Sequence, residues 1–129
     1  MPRHIYYYKR DHPSGILQLT RFILRDFSRE VTRRGRIPIV TIIPDGKDLE
    51  HFINHQKWTF QLLIDELQSD GVDVFNFGPG ILRKLNGRNP CEIINDCYNH
   101  PNAEGYRIIA EVAYDHLKDK NLLKETGRQ

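Results

Sequence analysis

The sequence predicts one α/β domain built on a parallel sheet with helices on both faces, and three observations lead there. Helix-like and strand-like stretches alternate from residue 14 onward. The strand-like stretches are apolar at successive positions, as strands covered on both faces are. The chain has 129 residues, 39% of them hydrophobic and 28% charged, with 9 Gly and 7 Pro, which excludes disordered and collagen-like chains. Residues 1–129 therefore read as a single domain, with 1–13 an irregular N-terminal segment in which Ile5 to Tyr8 is a weaker strand-like stretch.

The first helix is signalled by Ser14 as a cap and by Ile16, Leu19, Ile23, Phe27 and Val31 recurring every three or four residues. Arg33, Arg34 and Gly35 give it a cationic last turn and a stop. Ile37 to Ile43 is a β-branched run in which Pro38 fits only near the start. Pro44, Asp45 and Gly46 break that run and open a loop, after which Trp58, Leu62, Leu63, Ile64 and Leu67 outline a second helix ending near Gly71. Val72 to Phe77 is the second strand, closed by Gly78, Pro79 and Gly80. Ile81 to Leu85 reads as a helical turn and residues 86–99 as a long loop. Asn102 then caps a last helix with Tyr106, Ile109, Ala113 and Leu117 on one apolar face.

Helices separating buried strands imply right-handed crossovers and a parallel sheet. A central strand as apolar as Ile39 to Ile43 needs a hydrogen-bonded neighbour on each side and helices above and below. Two strands do not supply that. Part of the sheet is therefore expected to come from outside this chain, or from a second copy of it in a homo-oligomer.

Several function classes are set aside by composition. No apolar run approaches the ~20 residues that cross a bilayer, so no membrane span is expected, and the first ten residues lack the apolar run of a secretion signal. Residues 1–36 hold 9 of the 19 Lys and Arg but 3 of the 17 Asp and Glu. Arg21, Arg25 and Arg29 would form one helical stripe, yet without Gly or aromatic interleaving they read as a solvated face, and no nucleic-acid partner is expected. His51 and His55 share a helical face, but Phe52 stands where a zinc protease needs Glu, and no metal is expected. Cys91 and Cys97 lack zinc-knuckle spacing; a loop staple and two free thiols both remain open. Gly78 and Gly80 are followed by no Lys-Ser/Thr pair, so they form no phosphate loop. Asp45, ending a strand, reads as a loop acid at the edge where ligands approach open α/β sheets.

The chemistry-bearing stretch is Asp96 to Glu111, DCYNHPNAEGYRIIAE. His100 ends a loop, is followed by Pro101, which confines it to extended geometry, and stands two residues before a helix. Imidazoles titrate near neutrality, and one held on a rigid loop beside a carboxylate is what a general base requires. Asp96, four residues before it on the same loop, is the obvious carboxylate. Gly105, in the first turn of the helix, leaves room for a neighbouring segment.

HPNAEGYRIIAEVAYDHL is similar to the last sequence block of SGNH (GDSL-type) hydrolases. There a histidine preceded by an aspartate is followed by Pro or Tyr, Asn, Gly and the Ala-Glu of the final helix. HPSGILQLTRFILRDFSRE, PIVTIIPDGKDL and GVDVFNFGPGI fall in the order of that family's helix, penultimate strand, helix and last strand, so the likeness covers most of residues 12 to 118. It implies a three-layer α/β/α flavodoxin-like fold, apparently incomplete in this chain. It also implies ester hydrolysis by a serine nucleophile without a cofactor, with His100 as general base and Asp96 orienting it. The substrate class implied is an ester-containing small molecule, a lipid or an acylated carbohydrate.

Two departures from the family pattern are visible. The aspartate of that pattern precedes the histidine by three residues, a position held here by Cys97, with Asp96 one further back; Glu92 or a backbone carbonyl are the alternative orienters. The Gly-Asp-Ser nucleophile block, the oxyanion-hole Gly and the Gly-x-Asn-Asp block have no counterpart. Ser14 reads as a helix cap, Ser28 lies inside the first helix and Ser69 ends the second, so none sits on a strand-to-helix turn. The expected function is thus the C-terminal, base-bearing part of a serine esterase or acyl hydrolase whose N-terminal half lies elsewhere. The alternative is a non-catalytic α/β module that binds a partner or itself.

Overall fold

The computed structural model describes residues 8–124, so the strand-like stretch Ile5 to Tyr8 lies, Tyr8 apart, outside the described residues. The elements are α1 (Ile16–Arg33), β1 (Val40–Ile42), α2 (Gly46–His55), α3 (Gln61–Ser69), β2 (Val74–Asn76), α4 (Gly78–Leu85) and α5 (Ala103–Asp119). Two short 3₁₀ turns, Pro90–Glu92 and Asn95–Cys97, punctuate the stretch before α5. β1 and β2 pair in parallel, Val40 beside Val74, Thr41 beside Phe75 and Ile42 beside Asn76. This is an α/β architecture with a two-stranded parallel sheet among the described residues.

Paired residues of neighbouring strands share a face of the sheet. Val40 packs with Leu17 of α1, Leu63 and Leu67 of α3, and Val72. On the opposite face Phe75 stacks on His116 of α5, ring centroids 3.6 Å apart. Helices thus lie on both faces. A larger apolar cluster wraps the carboxyl ends of the strands, joining Leu49, Trp58, Phe60, Ile64, Phe77, Ile81, Leu85, Ile93, Ile108 and Val112. Trp58 is stacked on Phe52 at 4.2 Å and on Phe60 at 5.5 Å, and its ring lies so close to Gly78 that a Cβ there would fall within 2.2 Å of it.

Three expectations change. Residues 46–55 form a helix rather than a loop, because Asp45 and Asp48 make a reciprocal capping box: the Asp45 side chain accepts from the Asp48 N–H at 2.9 Å, and the Asp48 side chain accepts from the Asp45 N–H at 3.3 Å. α1 begins with Gly15 at its cap, φ 63°, while the Ser14 hydroxyl accepts from the Ile16 N–H at 3.3 Å. α5 buries Gly105, Ile108 and Val112; Ile109 and Ala113 of the expected face pack beside them, half-buried, and Tyr106 is exposed. The close approach of Gly105 to the Ile93 carbonyl, where a Cβ would sit 2.3 Å away, turns the helix onto that stripe.

The basic stripe of α1 is partly inward. Arg21 donates to Asp70 through Nε at 2.6 Å and pairs with Glu66 at 2.7 Å, clamping α1 to the end of α3. The Arg21 hydrogen bond holds the Asp70 carboxyl below its ordinary value, aided by the charges of Arg21, Arg25 and Arg29. A carboxyl lowered on folding stabilises above its unfolded pKa, ~3.9, and that contribution is lost as pH falls through the lower folded value. Acid titration followed by near-UV circular dichroism should therefore show loosening below about pH 4, with a smaller pH-dependent component in Asp70→Asn.

Candidate functional site

His100 is carried on a closed loop. The Asn95 N–H donates to the His100 carbonyl at 3.0 Å, the Asn102 N–H donates to the Ile93 carbonyl at 2.9 Å, and Ile94 and Pro101 form an antiparallel bridge. Asn102 caps α5, its Oδ1 accepting from the Gly105 N–H at 2.9 Å, while its Nδ2 donates to the Glu92 carbonyl at 2.7 Å. Cys91 and Cys97 are disulfide-bonded, which settles the two alternatives in favour of the staple. Arg88 ties the two sides of the loop together by donating to Glu92 at 2.9 Å and to Glu104 at 2.6 Å.

The same loop is pressed onto the carboxyl end of β1. A Cβ on Gly46, the first residue of α2, would fall 2.2 Å from the Cys97 carbonyl oxygen and 3.1 Å from Cys97 Sγ. At the next residue Lys47 Nζ stands over the Tyr98 ring, 4.0 Å from its centroid. The Pro44-Asp45-Gly46 corner thus docks the His100 loop at the edge of the sheet where ligands enter open α/β folds. Beside it Lys47, Glu50, His51, Asn54, His55 and Tyr98 line a cleft of about 290 Å³.

His100 itself is exposed, and its ring makes no hydrogen bond among the described residues. Asp96 is also exposed, sits at φ 51° in the left-handed region, and accepts from Asn99 Nδ2 at 3.1 Å rather than bonding His100. Glu92 is occupied by Arg88. The imidazole is therefore positioned by its backbone alone, and neither carboxylate orients it. Asp45 stands where expected, spent on capping α2.

None of the three serines approaches this loop through a hydrogen bond. Ser28 is buried within α1 and Ser69 ends α3. Ser14 Oγ lies 2.7 Å from His12 Nδ1, which also accepts from the Ser14 N–H at 3.2 Å, a turn closed within three residues at the start of α1. His51 and His55 stack at 4.3 Å, and no group of three metal-ligating side chains occurs among the described residues. No helix among them is long and apolar enough to cross a membrane.

Sequence reading missed Gly46, Lys47 and Tyr98 as loop-docking residues. The Pro-Asp-Gly tripeptide has the signature of a plain turn, and only its contact with residues some fifty positions away reveals its second use. Compared with protein-family models, with curated proteins and with solved structures, the chain matches none.

Proposed function

We propose that this chain is the base-bearing part of an SGNH-type ester hydrolase of three-layer, flavodoxin-like architecture, its nucleophile and oxyanion hole supplied by residues outside this chain. The observation that supports the reading is a solvent-open histidine on a stapled loop pressed against the carboxyl end of β1, immediately before a capped helix. There His100 takes the proton of a serine hydroxyl as its oxygen attacks the ester carbonyl, and returns it to the departing alkoxide. Water then attacks the acyl-enzyme by the same relay. The incoming polypeptide completes the dyad when it brings a hydroxyl to one ring nitrogen; Asp96, which accepts from Asn99 here, would have to leave that partner to orient the ring.

Hydrolysis of p-nitrophenyl butyrate tests the division of labour. The 129-residue chain should turn the ester over no faster than free imidazole at equal concentration, and the natural gene product containing the missing machinery should turn it over catalytically. A natural product without esterase or acyl-transfer activity overturns the reading.

A second reading, a non-catalytic module that binds a partner or itself, is favoured by one observation. Leu19, Ile23 and Phe27 of α1 are 58%, 58% and 47% exposed, and Ile39 and Ile43 beside β1 are 40% and 50% exposed. Leu19, Ile23 and Phe27, spaced four apart on α1, form one exposed apolar stripe of the kind that marks an interaction surface.

A further inference from the structure

The tip of the His100 loop is held in a conformation that its own residues disfavour. Asp96 stands at φ 51° and Cys97 at φ 62°, two successive residues other than glycine in the left-handed region. Aspartate visits that region through its short polar side chain. A cysteine there carries the full crowding of Cβ against the following carbonyl oxygen, roughly a tenfold disadvantage in population.

The contacts that oppose relaxation of the tip are weak. The Cys97 carbonyl meets Gly46 in van der Waals contact, and Lys47 lies over a Tyr98 ring that is itself exposed. A solvated cation over an aromatic face returns a factor of about three. The Cys97 N–H donates to the Ile94 carbonyl at 3.1 Å and the Asn99 N–H to the Asn95 carbonyl at 3.0 Å. Asn95, Asp96, Tyr98, Asn99 and His100 are all exposed, so water can stand in for bonds within the tip. The link from Cys97 back to Cys91 is what folds the tip over.

The base of the loop is anchored without that link. Ile93 and Ile94 are buried in the larger apolar cluster, and the Asn102 N–H donates to the Ile93 carbonyl. The Asn102 side chain holds the Glu92 carbonyl and the Gly105 N–H, and Arg88 joins Glu92 to Glu104. None of these contacts passes through sulfur. The two cysteines are six positions apart within one loop, so their bond ties no two core elements together. Both are half-buried rather than enclosed, which leaves sulfur within reach of a thiolate from solvent.

We infer that the Cys91–Cys97 disulfide is a thiol-operated switch: closed, it docks the His100 loop against Gly46; opened, it releases residues 95–100 while the segments on either side stay in place. The reductant is a dithiol. One of its thiolates attacks a protein sulfur to form a mixed disulfide, and the other cysteine leaves as a thiolate that takes up a proton. The second thiol of the reductant then attacks its own mixed sulfur, closing a cyclic disulfide and freeing the second cysteine. The protein gains two electrons and two protons. Cys97 is then free to take an ordinary negative φ, which withdraws its carbonyl from Gly46. Because backbone alone positions His100, release of the tip misplaces the imidazole. The effect on turnover rests on the hydrolase reading; the release of the loop does not.

The test is amide exchange of the 15N-labelled 129-residue chain with and without millimolar dithiothreitol, reduction being confirmed by iodoacetamide adducts at both cysteines. Exchange at Cys97 and Asn99 should quicken by about tenfold on reduction, while Asn102 and Gly105 stay unchanged. Shifts should be confined to residues 45–48 and 91–100. Glutathione disulfide should restore the starting spectrum, and the double variant Cys91→Ala with Cys97→Ala should show the reduced spectrum without any reductant. Tip resonances that do not move on full reduction overturn the proposal. So does loss of dispersion across α1 and α5, which would make the bond a support of the whole fold; the wild-type reduction reads this even where the double variant does not fold. In the natural gene product reduction should lower kcat about tenfold with KM little changed, and the double variant should be indifferent to dithiothreitol. Active product whose turnover ignores reduction overturns the link between bond and site. Release of the tip in a protein whose natural product lacks esterase activity leaves the switch standing and removes only the hydrolase reading.

Discussion

His100→Ala in the natural gene product is expected, on the proposed hydrolase reading, to lower ester turnover by roughly 10⁴-fold, the loss that follows when a hydroxyl nucleophile is deprived of its base. The effect should fall on kcat, because an exposed ring that makes no hydrogen bond among the described residues contributes little to substrate binding in the ground state. Stability should hardly move: the loop is held through the His100 carbonyl, the Asn102 side chain and the disulfide, none of which the substitution removes. Urea unfolding of the variant should therefore coincide with wild type within about 0.5 kcal/mol. Turnover within a factor of a few of wild type removes His100 from the mechanism. His100→Gln serves as the companion variant, keeping bulk and polarity while lacking a titrating nitrogen.

Gly46→Val has the opposite signature, a large loss of stability from a residue with no chemistry. Its Cβ would meet a backbone oxygen rather than a yielding side chain, and Cys97 is fixed by the disulfide on one side and by its N–H to the Ile94 carbonyl on the other. Either α2 or the His100 loop must move. Overpacking of this kind costs about 3 kcal/mol, and here the displaced segment is the one bearing the base. Chemical denaturation should show the loss, and heteronuclear NMR should show shifts concentrated in residues 95–100 and 45–48. A variant as stable as wild type with unshifted loop resonances contradicts the docking of loop on strand end.

How much of this was legible in the sequence differs by element. α1, the two strands and α5 announce themselves because their apolar spacing and caps are local: Asn102 accepts from Gly105 three residues on, and the apolar run from Ile37 to Ile43 contains the strand, of which Val40–Ile42 pairs with β2. α2 was hidden behind Pro44-Asp45-Gly46, since a turn and a capped helix start share those residues and only the Asp45–Asp48 reciprocity separates them. The buried stripe of α5 is shifted from Tyr106 to Ile108 and Val112, with Ile109 and Ala113 of the expected face beside it, because periodicity fixes a spacing but not which stripe meets the core; Gly105 against Ile93 decides that. At the site, the exposed loop position of His100 follows from His-Pro-Asn before a helix, whereas the side-chain direction of Asp96 follows from a left-handed φ that no local pattern specifies. Arg21 reads as part of a solvated stripe until Glu66 and Asp70 are brought to it by the fold.

Labelling of the natural gene product with a fluorophosphonate, followed by peptide mapping, probes the claim that His100 activates a hydroxyl this chain does not hold. The account predicts a single modified serine outside residues 1–129, labelled far more slowly in His100→Ala. Modification of Ser14, which would make His12 its base, modification of Ser28 or Ser69, or labelling at an unchanged rate in His100→Ala would contradict it.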